Sequence, residues 1–167
     1  FALAYGKFIG VSSQVMLAAV IVSMSVELFT MLLWGRLSDR IGRKPVYLIG
    51  ALGLIAISFP FFWLLDSKVP ALIWLAFLLG NAVCHGAMIG TQPSLMGELF
   101  STEVRYSGMA LGHEVASVFA GGLAPMLATA LLAHYHAAWP VALMMMTMGL
   151  ITVIALVYTR ETVASRA

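Results

Sequence analysis

Seven residues of this sequence carry ionisable or hydrogen-bonding side chains in almost wholly apolar surroundings: Glu27, Asn81, His85, Gln92, His113, Glu114 and Ser117. A carboxylate or imidazole is costly to bury in such a setting, and where one persists it generally marks an ion or substrate pathway. On a helix, Glu27 shares a face with Ser23 at i−4 and Thr30 at i+3. Asn81, His85 and Gln92 fall at i, i+4 and i+11, a second single stripe. His113 and Glu114 are adjacent, with Ser117 one turn on from both. The chemistry these types support is reversible proton binding, because burial disfavours the charged form of a carboxylate. Asn81 and Gln92 serve equally well as hydrogen-bonding links between helices, and His85 as a packing residue. The three polar faces are expected to converge on one interior cavity.

Other chemistries find less support. The sequence holds no G-x-S-x-G, no HExxH and no phosphate-binding glycine loop. A membrane-embedded enzyme using His85, His113 and the glutamates as metal ligands or acid–base groups is the rival reading, but no helix face carries a tight two-histidine motif. The expectation is therefore no enzyme, no cofactor and no metal. The single Cys84 excludes an internal disulfide and any cysteine-based metal site.

The elements that must position these residues follow from composition. Hydrophobic residues make up 62% and charged residues 10% of the chain, against roughly 45–50% and about 25% in ordinary globular proteins. So little polar surface cannot cover a water-soluble fold, and the bilayer is the expected solvent. Net charge is only +2, and no basic face is interleaved with aromatics, so nucleic acid is not an expected partner. Spanning the hydrocarbon takes about 20 apolar residues in a helix. Five such spans are expected, at about 15–35, 46–65, 70–97, 106–133 and 138–159. The opening FALAY is too short to span and reads as the tail of a further helix. With Phe1 in first place and no basic leader, the true N-terminus is expected upstream.

Alternation across the membrane puts Arg36, Arg40, Arg43, Lys44, Arg105, Arg160 and Arg166 on one side, and only Lys7 and Lys68 on the other. The positive-inside bias makes the first side, with the C-terminus, cytoplasmic. Trp34, Trp63, Trp74 and Trp139 fall near span ends, as an interfacial belt requires. The helix from Tyr106 carries a small-residue stripe, Gly108, Gly112, Ala116, Ala120, Ala124 and Ala128, with Gly121, Gly122 and Pro125 set within it. Such stripes let helix backbones approach closely, and the proline can bend the span.

Between the first two spans lies GRLSDRIGRKP at 35–45, read as a loop over 36–44. Gly35 and Gly42 permit a tight reversal. Asp39 can cap a helix N-terminus or pair with an arginine, and Pro45 suits the first turn of the next helix. This stretch resembles the cytoplasmic loop signature of major facilitator superfamily transporters, G-x-L-x-D-R-x-G-R-[KR]. GELFSTEVRYSGMALGHEVASVFAGGLAPMLATALL at 97–132 and RET at 160–162 resemble the metabolite:proton symporter subfamily, of shikimate, α-ketoglutarate and proline–betaine type. His113–Glu114 departs from the Tyr-Gln pair common there, adding an acid.

The resemblance implies an all-α polytopic bundle over 1–167: the end of helix seven and helices eight to twelve, the C-terminal half of a twelve-helix fold. It implies proton-coupled symport of a small organic acid or zwitterion across the inner membrane, by alternating access against the N-terminal half. It also implies a cytoplasmic gate in which Arg36, Arg40, Arg43 and Lys44 meet Glu98, Arg105 and Glu161, while Asp39 faces the other half. A transport-incompetent fragment is a further alternative.

Overall fold

The computed structural model describes residues 1–158, and Arg160, Glu161 and Arg166 lie outside them. Five long apolar helices follow a short one: α1 (Ala2–Ile9), α2 (Ser13–Ile41), α3 (Arg43–Asp66), α4 (Pro70–Leu99), α5 (Arg105–Tyr135) and α6 (Trp139–Tyr158). The described residues contain no strand. Helix ends follow local chemistry. Ser12 caps α2 by accepting from the Val15 N–H at 3.4 Å. Gly10 ends α1 at φ +79°, and Pro70 opens α4 in its first turn.

The stretch at 35–45 is not a loop. Helix α2 runs through it to Ile41 and α3 starts at Arg43, so the reversal rests on Gly42 alone, at φ +105°. Straight-chain Arg and Leu side chains favour helix here, and the Ser38 hydroxyl donates to the Gly35 carbonyl at 2.7 Å. At 29 residues α2 is about 44 Å long, so it tilts or projects beyond the hydrocarbon core. Gly35, expected at the reversal, instead lies within α2 against the Gly90 carbonyl of α4.

Helix α4 is the hub. It packs on both α2 and α3, while α6 lies along α3. Close approach is set by glycines. A methyl group at Gly90 would stand 2.5 Å from the Met31 carbonyl oxygen of α2, and one at Gly50 would stand 2.7 Å from the Cys84 carbonyl of α4. An apolar core of Tyr5, Met16, Phe62, Leu65, Ile73 and Leu132 fills the end of the bundle opposite Gly42. Helix α5 is the least enclosed, burying only Ala128 and Leu132.

Two segments widen to π geometry: Leu78–His85 within α4 and Val118–Leu123 within α5. The second precedes Pro125, which has no N–H to give the carbonyl four residues back. The first holds Asn81 and His85, and π segments are frequent at functional sites.

Gly90→Ala is expected to cost about 1–3 kcal/mol, because the new methyl meets backbone that cannot rotate away. Gly80→Ala, whose methyl would meet only the Phe61 ring at 3.7 Å, is expected to be tolerated. Thermal unfolding of both variants in detergent checks the contrast.

Candidate functional site

At the centre of α2, Glu27 meets His85 of α4, with Oε1 2.5 Å from Nδ1. The Glu27 side chain is 13% exposed and the His85 ring 50%, so the carboxylate is enclosed while the imidazole retains room to move. A hydrogen bond between them needs either an imidazole N–H donating to the carboxylate or a carboxyl O–H donating to the ring nitrogen.

Two further contacts fix this pair. One turn before Glu27, the buried Ser23 hydroxyl accepts from Asn81 Nδ2 at 3.0 Å and donates to the Val20 carbonyl at 2.9 Å. One turn after, the Thr30 hydroxyl donates to the Ala82 carbonyl, inside the π segment, at 2.5 Å. The three polar residues of α2 thus meet α4 as a ladder. The ladder closes because Gly86 leaves space beside Thr30, where a methyl would come within 2.9 Å of Oγ1.

Glu27, Asn81 and His85 form the polar wall of a cavity of about 340 Å³. Its other walls are mostly apolar, five of them aromatic: Phe1, Tyr5, Phe61, Phe62 and Phe77. Tyr5, 1% exposed, donates its hydroxyl to Asp66 Oδ1 at 2.6 Å and so ties α1 to the end of α3.

The remaining candidates do not join this cavity. Gln92 and His113 share a second one of about 340 Å³ between α4 and α5, with Pro93, Met96 and Tyr106. Glu114 and Ser117 lie on the exposed face of α5. The structure thus brings the polar side chains of α2 together with Asn81 and His85 of α4, and leaves those of α5 apart from them. The i, i+4, i+11 spacing assumed an unbroken 3.6-residue period, and the π turn within α4 interrupts it. Of the small-residue stripe, Gly108 lies against the Phe100 ring and Ala128 is buried. Gly112, Gly121 and Gly122 have nothing near them among the described residues, and Ala116 and Ala120 are exposed.

At the Gly42 end, Arg43 pairs with Asp39, four residues earlier across the turn, and donates to the Ser38 hydroxyl at 2.9 Å. Its Nε lies 3.8 Å from Glu98 Oε1 at the end of α4. Lys44 reaches the Val157 carbonyl of α6 at 3.4 Å. Arg36 and Arg40 line an open surface groove with Leu33 and Leu37. Arg105 starts α5 beside Gly97, and Glu161 is outside the described residues.

Sequence reasoning missed the aromatic walls, the Tyr5–Asp66 bond and the α2–α4 glycine contacts. Gly86-x-x-x-Gly90 was the available signal for the last, and the Phe-rich 59–62 run for the first. Among the described residues no three His, Cys, Asp or Glu side chains gather closely enough to hold a metal.

A profile described as Major Facilitator Superfamily matches residues 1–167. The chain is 34% identical over 143 residues to a proline/betaine transporter of Escherichia coli K12, covering 86% of this chain and 28% of that protein. It is 36% identical over 106 residues to the shikimate transporter of the same strain, covering 62% and 24%. A citrate-proton symporter of Klebsiella pneumoniae is 31% identical over 123 residues, covering 74% and 28%. The chain spans about a quarter of the length of these curated relatives. No solved structure matches it.

Proposed function

The chain belongs to the Major Facilitator Superfamily, and on that premise we propose that it is the C-terminal helix bundle of a proton-coupled symporter for a small organic metabolite. Relatives named for proline/betaine, shikimate and citrate-proton transport support transport of such solutes. The observation that carries proton coupling is the Glu27–His85 contact at 2.5 Å on the wall of the aromatic cavity. A proton-binding pair at mid-helix, open to a solute-sized cavity, gives one place where proton and solute alter each other's binding.

In this reading the protein crosses the inner membrane several times with its C-terminus in the cytoplasm. An N-terminal half completes the site, and one half rocks against the other. Protonation shifts the equilibrium between outward- and inward-facing states through its differential stability in the two. Gln92 and His113, in the second cavity, are candidates for the continuation of the pathway. Glu114 and Ser117 face the side on which the other half would pack.

The Arg43 cluster serves as a cytoplasmic latch. It joins the α2–α3 turn to the end of α4, and Lys44 joins the same turn to the end of α6. Asp39 is 60% exposed, so its pair with Arg43 within the turn contributes about 0–1 kcal/mol; the contact that reaches α4 is that of Arg43 with Glu98 at 3.8 Å.

Two outcomes are expected for the full-length protein in proteoliposomes. Glu27→Gln should lower pH-gradient-driven accumulation of organic solute at least about tenfold, the equivalent of about 1.4 kcal/mol; unchanged accumulation would remove Glu27 from the coupling site. Arg43→Ala should raise maleimide labelling of Met96→Cys several-fold in a Cys84→Ala background, by favouring the cytoplasm-open state. Equal labelling rates with and without Arg43 would contradict the latch.

A further inference from the structure

We propose that Thr30 is a positioning residue: by occupying the Ala82 carbonyl, its hydroxyl holds the π turn of α4 open and so keeps His85 against Glu27. What the pair does in transport rests on the reading above; where the pair stands does not.

In an α-helix the Gly86 N–H would donate to the carbonyl four residues back, that of Ala82. Here it is shared between the carbonyls on either side, those of Asn81 and Val83. The Ala82 carbonyl that Gly86 passes over accepts the Thr30 hydroxyl, from a different helix, at 2.5 Å. Ala82 is buried, and a carbonyl left without a donor in hydrocarbon is costly. Thr30 thus supplies the donor that Gly86 withholds. Gly86 takes part twice, through that N–H and through the missing side chain that admits Thr30 Oγ1.

A second acceptor makes the arrangement reversible. The same hydroxyl lies 3.2 Å from the Glu27 carbonyl of its own helix, the kind of acceptor a threonine within a helix commonly uses. If the hydroxyl turns to Glu27 and the Gly86 N–H returns to Ala82, α4 closes to α geometry with the Ala82 carbonyl still paired. Losing the extra residue of a π turn rotates one side of it against the other by about 100°, one residue of an α-helix. His85 ends the π segment, so closure turns it away from Glu27.

No other anion takes the place of Glu27 among the described residues. Helix α1 contributes Tyr5 to the shared cavity, with its hydroxyl donated to Asp66. From α3 and α6 come the apolar Leu54, Ile57 and Met145, and Cys84 turns toward Gly53 of α3. The His85–Glu27 contact therefore reports the state of the turn.

The test uses the full-length protein with its histidine rings labelled with ¹⁵N. It compares Thr30→Val, which keeps the side-chain shape without the hydroxyl, with Thr30→Ser, which keeps the hydroxyl. In the wild type Glu27→Gln is expected to shift the His85 ring signal. In Thr30→Val that signal should already be displaced, and adding Glu27→Gln should change nothing further, the non-additivity of residues acting through one contact. Thr30→Ser should give the wild-type signal. Gly86→Ala, whose methyl would stand 2.9 Å from Thr30 Oγ1, reaches the same contact from α4 and should act as Thr30→Val does, including where that variant fails to fold. A His85 signal that ignores Glu27→Gln in the wild type, or still responds to it in Thr30→Val, would overturn the proposal. So would a Thr30→Ser signal displaced as far as that of Thr30→Val. In proteoliposomes Thr30→Val is expected to lose pH-gradient-driven accumulation about tenfold, as Glu27→Gln does. Intact accumulation in both variants, with the ring signals as expected, would count against the coupling reading and leave the positioning of His85 standing.

Discussion

A carboxylate at mid-depth in hydrocarbon must be held by a partner, and the architecture of this bundle follows from holding Glu27. Its partner, His85, stands on a different helix, so α2 and α4 must meet at a fixed height and rotation. The Ser23–Asn81 and Thr30–Ala82 contacts, one turn to either side, set both. Each also removes a polar group from the apolar medium, where an unsatisfied one costs several kcal/mol. Pairing a charge in this way is weak evidence for stability, since desolvation offsets much of the attraction.

Glycine makes the geometry possible. Gly86 and Gly90 bring α4 onto α2, while Gly50 and Gly53 of α3 receive Cys84 from the opposite side of α4. Helix α4 is thus seated between two close contacts, at the end of its π segment and just beyond it. The widened turn leaves the Ala82 carbonyl accepting from Thr30 and keeps Asn81 and His85 toward α2. The apolar and aromatic core at one end, and the Arg43–Asp39–Glu98 cluster at the other, secure the two ends around this middle.

Much of this was legible in sequence because hydrocarbon imposes a simple rule. A charge-free run of about 20 residues becomes a helix whatever its side chains, since its backbone has no other source of hydrogen bonds. The i, i+4 spacings of Ser23 with Glu27 and of Asn81 with His85 likewise survived folding. The reversal at 35–45 is misplaced by sequence, because charge does not by itself end a helix: Arg and Lys extend helices into the interface as readily as loops do. Gln92 could not be assigned from spacing, because a π turn leaves no composition signature and changes the phase of every residue after it. Glu114 and the stripe from Gly112 to Gly122 face outward from the described bundle, where packing within this chain does not determine their partners.

In the proposed mechanism the Glu27–His85 pair is the meeting point of proton and solute. The aromatic walls give the solute its place, and the latch at Gly42 gives the bundle its two states. The most direct measurement is the ¹⁵N chemical shift of the His85 ring in histidine-labelled full-length protein, assigned by its loss in His85→Gln and followed through a pH titration with and without transported solute. The expected result is that solute moves the His85 titration, favouring the protonated ring. A His85 titration that is the same with and without a solute the protein transports would contradict the mechanism.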